Sequence, residues 1–356
     1  MKKQLMIVAV ATTMATATMA DISITGNAYF TYSDNAIGGN VNDDDQRIKL
    51  KVIGSTGTTK VVAVIRNGSK TRVDSDAVNN DGNKGLHMDS LYITTKAGPV
   101  NIKAGDYSGT IGHGVRSMGA DKKNALALST SISGVKLGIF THNGSGIGSE
   151  SGSDSTNVSV STKISSTTVG IVHNPDNFTD ISVEGDFGGV SVAAEQWIDK
   201  EGDNDATLIQ VNGKVAGFNW GAIQVKNDVP YVAEVKNTSG VVTTAGQGVS
   251  NGDFAPLGSM LIGTGNRGGK ASSAKDVGDF TKVLGVSVST KFEGSTVKAI
   301  YTKNTLGTND KVTGTELILT RPLNGAKLTL NVGKFSDSND ATLNNSNKGI
   351  RLDVNF

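Results

Sequence analysis

Arg47, Lys49 and Lys51 stand at every second position of a short run, with Ile48, Leu50 and Val52 interleaved and following. In an extended chain that spacing puts the three cations on one face, roughly 6.8 Å apart, and the aliphatic side chains on the other. The chemistry of such a row is electrostatic: it attracts and steers anions. Lys103 follows Val100 and Ile102 in the same alternation, and Arg66 closes an apolar stretch. Covalent chemistry has few carriers here. There are four histidines, His87, His113, His142 and His173, and no cysteine. A hydrolase needs its histidine held between a nucleophile and an orienting group, and none of the four sits in such a constellation. There is no H-E-x-x-H and no phosphate-binding loop. The residues point to a protein that is not an enzyme.

The elements that must position these charges follow from composition. Glycine accounts for 45 of 356 residues and proline for 5, while hydrophobic residues make up 37%. An ordinary globular domain carries about 45–50% apolar residues, so a soluble core of this size would go unfilled. Yet charged residues are 19% and nearly balanced, with a formal net charge of +1. That is far from the composition of disordered chains, and it argues against nucleic acid as a partner. The absence of cysteine excludes disulfide frameworks and Cys-ligated zinc. Residues 1–20, with Lys2 and Lys3, an apolar stretch from Leu5 to Ala11 and a small-residue exit at Thr18-Met19-Ala20, read as a signal peptide. The mature chain, residues 21–356, is expected to be one domain.

From Asp21 onward the apolar pattern has period two, the mark of strands. Ile350, Leu352, Val354 and Phe356 alternate with Arg351, Asp353 and Asn355, and Leu328, Leu330 and Val332 with Thr329 and Asn331. Tight turns at Ala97-Gly98-Pro99, Ser133-Gly134, Gly188-Gly189, Glu293-Gly294 and Asn324-Gly325 alternate with long polar stretches, the longest at 229–280. Short turns on one side and long loops on the other define an all-β, transmembrane antiparallel β-barrel with short periplasmic turns and long extracellular loops. At about 9–11 residues per crossing the segments number roughly 18, or 16 if two of them are loop hairpins. Tandem sandwiches would need linkers, and a solenoid would need a fixed repeat; neither is visible. A central Arg or Lys facing lipid costs roughly 2–4 kcal/mol, so Arg47, Lys49, Lys51, Arg66 and Lys103 are expected to line the lumen. The 10 Phe, 6 Tyr and 2 Trp are few for the aromatic girdles of such barrels.

Three segments resemble Gram-negative outer-membrane porins of the general-diffusion, alpha-proteobacterial type. They are the mature start, Asp21-Ile-Ser-Ile-Thr-Gly-Asn-Ala-Tyr-Phe30, the hairpin from Leu91 to Asp106, and the last strand ending on Phe356. The resemblance implies a homotrimeric, water-filled channel for small hydrophilic solutes and ions, narrowed by an infolded third loop after Asp106. It also implies acidic residues on that loop, Asp106 and Asp121, facing the basic wall. Lipid and lipopolysaccharide are the expected surroundings. Asp43-Asp44-Asp45 and Asp203-Asn204-Asp205 are clusters of hard oxygen donors for a Ca²⁺ ion, although no EF-hand spacing is present and no resident cofactor or metal is expected. The alternatives are a substrate-specific porin, or a structural or interaction barrel (adhesin or phage receptor) in which the 229–280 connection matters more than the pore.

Overall fold

The computed structural model describes residues 21–35, 41–67, 86–109, 111–115, 120–143, 154–200, 205–228, 235–236, 242–244, 280–306, 311–338 and 345–356. The expected signal peptide and most of the 229–280 connection lie outside them. The wall opens with β1 (Asp21–Asn35), β2 (Val41–Thr56), β3 (Thr59–Asn67), β4 (Leu86–Ala97) and β5 (Val100–Gly109). It continues through β6 (Ala120–Ile132), β7 (Val135–Asn143), β8 (Asp154–Ile164), β9 (Thr167–Asn174) and β10 (Phe178–Phe187). Next come β11 (Val190–Asp199), β12 (Ala206–Val215) and β13 (Phe218–Asn227). Two short strands, β14 (Val235–Lys236) and β15 (Val242–Thr244), pair with each other outside the wall. β16 (Phe280–Phe292), β17 (Ser295–Leu306), β18 (Lys311–Leu323), β19 (Ala326–Asp337) and β20 (Asn345–Asn355) complete it.

Each wall strand runs antiparallel to the next, and β20 pairs back onto β1, so 18 strands close into a barrel. This is the higher of the two expected counts. On one rim the connections are two-residue turns. Ser133-Gly134, Ala216-Gly217 and Glu293-Gly294 each hold two successive residues at positive φ, between 46° and 84°. These are type I′ angles, whose twist matches that of the strands they join.

Directly opposed residues share a face of a sheet. One parity carries exposed aliphatic side chains all round the wall, among them Ile22 and Ile24 on β1, Leu317 on β18, Val332 on β19 and Ile350 on β20. That band is the face a bilayer must cover. Four of the few aromatic residues, Phe187, Phe218, Phe292 and Phe356, are exposed beside the short turns or the C-terminus, forming a girdle at that rim. The register also climbs. Opposed residues lead from Asp21, at the short-turn end of β1, through Ser55, Lys60, Thr94, Lys103, Ala127 and Phe140 to Asn157 near the far end of β8. This stagger is what tilts the strands of a closed barrel, typically by about 35–45°.

The seam between first and last strands is tight. The Gly26 N–H donates to the Phe356 carbonyl at 2.6 Å, and the Phe356 N–H donates to the Gly26 carbonyl at 3.0 Å. The Phe356 ring covers Gly26 so closely that a Cβ there would lie 2.6 Å from it. Gly26→Val is therefore expected to push the ring off the seam and destabilise the barrel by about 1–3 kcal/mol. The check is a lower unfolding temperature of the heat-modifiable band on gels, with wild-type stability contradicting it.

Candidate functional site: the constricted lumen

The inner face begins with the cations. Arg47, Lys49 and Lys51 on β2 oppose Tyr29, Asn27 and Thr25 on β1, on the parity away from the lipid-facing Ile48. Arg66 on β3 opposes Lys49, and Lys103 on β5 opposes Thr94. The structure brings these five residues together on the inner wall of β2–β5. Two local features set their geometry. The β3–β4 register shifts after Val64, leaving Asp89 as an extra residue on β4. Its carboxylate turns to the cations, 2.6 Å from Arg66 Nε and 3.5 Å from Lys49 Nζ. Lys103 Nζ lies over two rings, 3.6 Å from the centroid of Tyr107 and 4.3 Å from that of Tyr92. The rings meet edge to face at 5.7 Å, so the ammonium is clasped by aromatic faces that attract it.

The opposite wall is different. β11 stands nine strands from β2 in a ring of 18, half the circumference away. Here the inward parity is largely apolar: Phe178, Trp197, Ala206, Leu208, Ile223, Val225, Val283 and Ile300 form one buried cluster. Phe178 and Trp197 stack with centroids 3.8 Å apart. What buries this inner patch is the segment Ile111–Val115 of the connection after β5, whose Ile111 and Val115 join the cluster. The segment's backbone needs partners too. Buried Glu195 supplies them, its carboxylate accepting from the His113 N–H at 2.7 Å and the Val115 N–H at 3.1 Å. His113 Nε2 lies 3.1 Å from the Val183 carbonyl. Gly112 passes between two acids: at φ +55, a Cβ would lie 2.6 Å from both Asp180 Oδ2 and Glu195 Oε1. The Ile111–Val115 segment thus lies in the lumen and is fastened to β10 and β11.

The acidic side of the constriction needs correction. Asp106 lies within β5, opposite Leu91 of the lipid-facing parity, and Asp121 lies within β6, opposite Ser108. Neither is on the segment that folds inward. The acids on the wall opposite the cations are instead Asp180 and Glu195, both buried against the Ile111–Val115 segment, and the sequence reading missed them. The signal that carried them was the break in strict alternation around them, as in Val192-Ala193-Ala194 and Leu208-Ile209, where both faces of the strand are apolar. The histidines are scattered. His173 sits on β9 with Nδ1 2.9 Å from Thr179 Oγ1, whereas the side chains of His87 and His142 lie outside the described residues. So do the side chains of Asp43, Asp44 and Asp45 and the whole of Asp203 and Asn204.

Toward the short-turn rim the lumen opens into two recesses. One, of about 390 Å³, is lined by Lys60, Thr94, Lys96, Asn101, Lys103 and Ser129. The other, of about 510 Å³ on the facing wall, is lined by Asn212, Lys214, Asn219, Ser287, Ser289 and Lys298. Both are rich in hydroxyl, amide and ammonium groups.

No protein-family model matches this chain, and no curated protein matches it. Solved structures do. OccK2 (OpdF) of Pseudomonas aeruginosa, solved with glucuronate, superposes with a TM-score of 0.64 at 11% identity, over 94% of this chain and 98% of that one. OpdK of the same organism, solved with vanillate, gives 0.63 at 11% identity over 94% and 98%. OccAB3 of Acinetobacter baumannii gives 0.61 at 11% identity over 94% and 99%. The fold is that of Gram-negative outer-membrane channels. The alpha-proteobacterial likeness finds no support in these matches.

If Glu195 fastens the constriction, Glu195→Ala should free the Ile111–Val115 segment. Leaving the His113 and Val115 N–H groups without their partner, at about 1–3 kcal/mol for a buried donor, is expected to lower the unfolding temperature. In a planar bilayer the variant's single-channel current should be larger and noisier than the parent's. A quiet channel of parental conductance would contradict the assignment.

Proposed function

We propose that this chain is a passive outer-membrane channel through which small hydrophilic solutes and ions diffuse, with a preference for anions. The observation that carries this reading is the asymmetry of the inner wall. Exposed Lys51 and the part-exposed Arg47 and Lys49 stand on one side, while the acids of the other side are buried beneath the infolded segment. A solute in the narrow section therefore meets uncovered positive charge in a space where screening is weaker than in bulk water. The polar recesses below the constriction accept hydroxylated and charged solutes without enclosing them, which supports general diffusion. Assembly as a homotrimer through the outer walls belongs to the same reading, and crosslinking in detergent tests it.

A second reading has an observation in its favour. OccK2 and OpdK were solved with glucuronate and vanillate, both carboxylates, and the Tyr92–Lys103–Tyr107 clasp offers a fixed cation to such a group. In that case flux of glucuronate would saturate with concentration, whereas general diffusion gives a linear rise.

The electrostatic claim is tested with Arg47→Gln, Lys49→Gln and Lys51→Gln combined. The reversal potential in a salt gradient should shift toward cations. The shift should be largest near 0.1 M salt and fade toward 1 M, as the Debye length falls from about 10 Å to 3 Å. An unaltered reversal potential at low salt would remove these residues from the selectivity of the pore.

A further inference from the structure

The lumen does not account for every charge on the wall. Lys226 on β13 shares the parity of Trp220 and Ala222, which oppose the exposed Val288 and Val286 of β16. It therefore points outward. Lys282 on β16 is its directly opposed partner, so two lysines face each other across neighbouring strands. Lys303 on β17 opposes exposed Leu284, and Lys334 on β19 opposes Thr315, whose parity is that of exposed Leu317. All four are on the lipid side, near the ends of their strands that carry the longer connections. They are also level. Lys303 is set two residues below the register of Lys282, and Lys334 two below that of Thr313, the partner of Lys303. Those steps offset the climb of the register from strand to strand.

None of the four lysines makes an ion pair among the described residues, and Asp228, two residues beyond Lys226, makes none either. Like charges directly opposed across a strand pair are destabilising. On β9–β12 upper, outward positions are satisfied in pairs: His173 with Thr179, and Thr207 donating to Gln196. Among the strand residues whose side chains are described, the outward lysines of this rim lie between β13 and β20, Lys311 on β18 and Lys348 on β20 included. Residues opposed across a strand pair have Cα atoms about 5 Å apart, and an anion held between two such lysines near the strand ends has the chemistry of a lipid phosphate.

We infer that β13, β16, β17 and β19 carry a docking belt for the phosphates of a bisphosphorylated outer-leaflet glycolipid, of the lipopolysaccharide type. Lys226 and Lys282 clamp one phosphate, and Lys303 and Lys334 extend the belt toward a second. A single-phosphate lipid engages only half of it. The belt works by direct ammonium–phosphate contact and needs no bridging divalent cation. It is independent of what passes through the lumen.

The test is lipid retention in detergent, counted by native mass spectrometry in the presence of EDTA. The probes are bisphosphorylated lipid A, monophosphoryl lipid A and phosphatidylglycerol. The parent should retain bisphosphorylated lipid A at least about tenfold better than the Lys226→Gln, Lys282→Gln, Lys303→Gln, Lys334→Gln variant, in keeping with the pull of several cations on an anionic surface. Monophosphoryl lipid A should be retained more weakly by the parent, and phosphatidylglycerol least. Replacing the same four lysines by arginine should preserve retention. Parental conductance and gel mobility of the glutamine variant establish that it is folded. Should it not fold, the Lys226→Gln, Lys282→Gln pair alone is expected to lose about threefold. Equal retention by parent and glutamine variant, retention abolished by EDTA, or phosphatidylglycerol held as well as lipid A would each overturn the assignment.

Discussion

In a bilayer every backbone N–H and C=O must find its partner within the protein, and this constraint governs the rest of the molecule. Eighteen strands meet it by pairing with both neighbours, and the β1–β20 seam removes the last two edges. The Gly26–Phe356 contact shows how closely the seam is drawn. Because the ladder satisfies the backbone, the wall holds together without a conventional core. A chain with 37% hydrophobic residues can then place its aliphatic side chains mainly outward, where lipid covers them.

The lumen is consequently free to be built for other purposes. Its buried apolar cluster does not hold the barrel together; it receives the Ile111–Val115 segment. Apolar burial draws that segment to the β10–β13 side, and Glu195 fixes it there by taking its backbone N–H groups. The same act covers the acids of that wall and leaves the cations of β2–β5 facing water. One docking event therefore both draws the segment into the lumen and covers the acids of that wall.

The outer face repeats the logic at a different boundary. Most of it is an aliphatic band, and four of the aromatic residues that face lipid, Phe187, Phe218, Phe292 and Phe356, lie at the short-turn rim. At the opposite rim the β13–β19 sector carries lysines where the β9–β12 sector carries hydrogen-bonded pairs. Charge at a lipid boundary costs less near the headgroups than at mid-bilayer. That depth dependence is why such residues occur at strand ends and not between them.

The sequence by itself determined the barrel, its strand positions and the direction of most side chains. Period-two alternation is local, and a two-residue turn such as Glu293-Gly294 specifies its own geometry, so Ile350 or Lys49 can be assigned to a face from its neighbours alone. The strand count was legible to within one hairpin. What the tertiary structure decided is which distant residues meet. Glu195 and His113 are 82 positions apart, and no local pattern links them. The infolded loop was legible as a connection, but its acidic partners were sought at Asp106 and Asp121, which strand pairing takes into β5 and β6. Lys226 and Lys282 look like ordinary surface lysines until the register places them opposite each other. Register and closure are properties of the whole ring, and only the folded chain fixes which charges stand across from which.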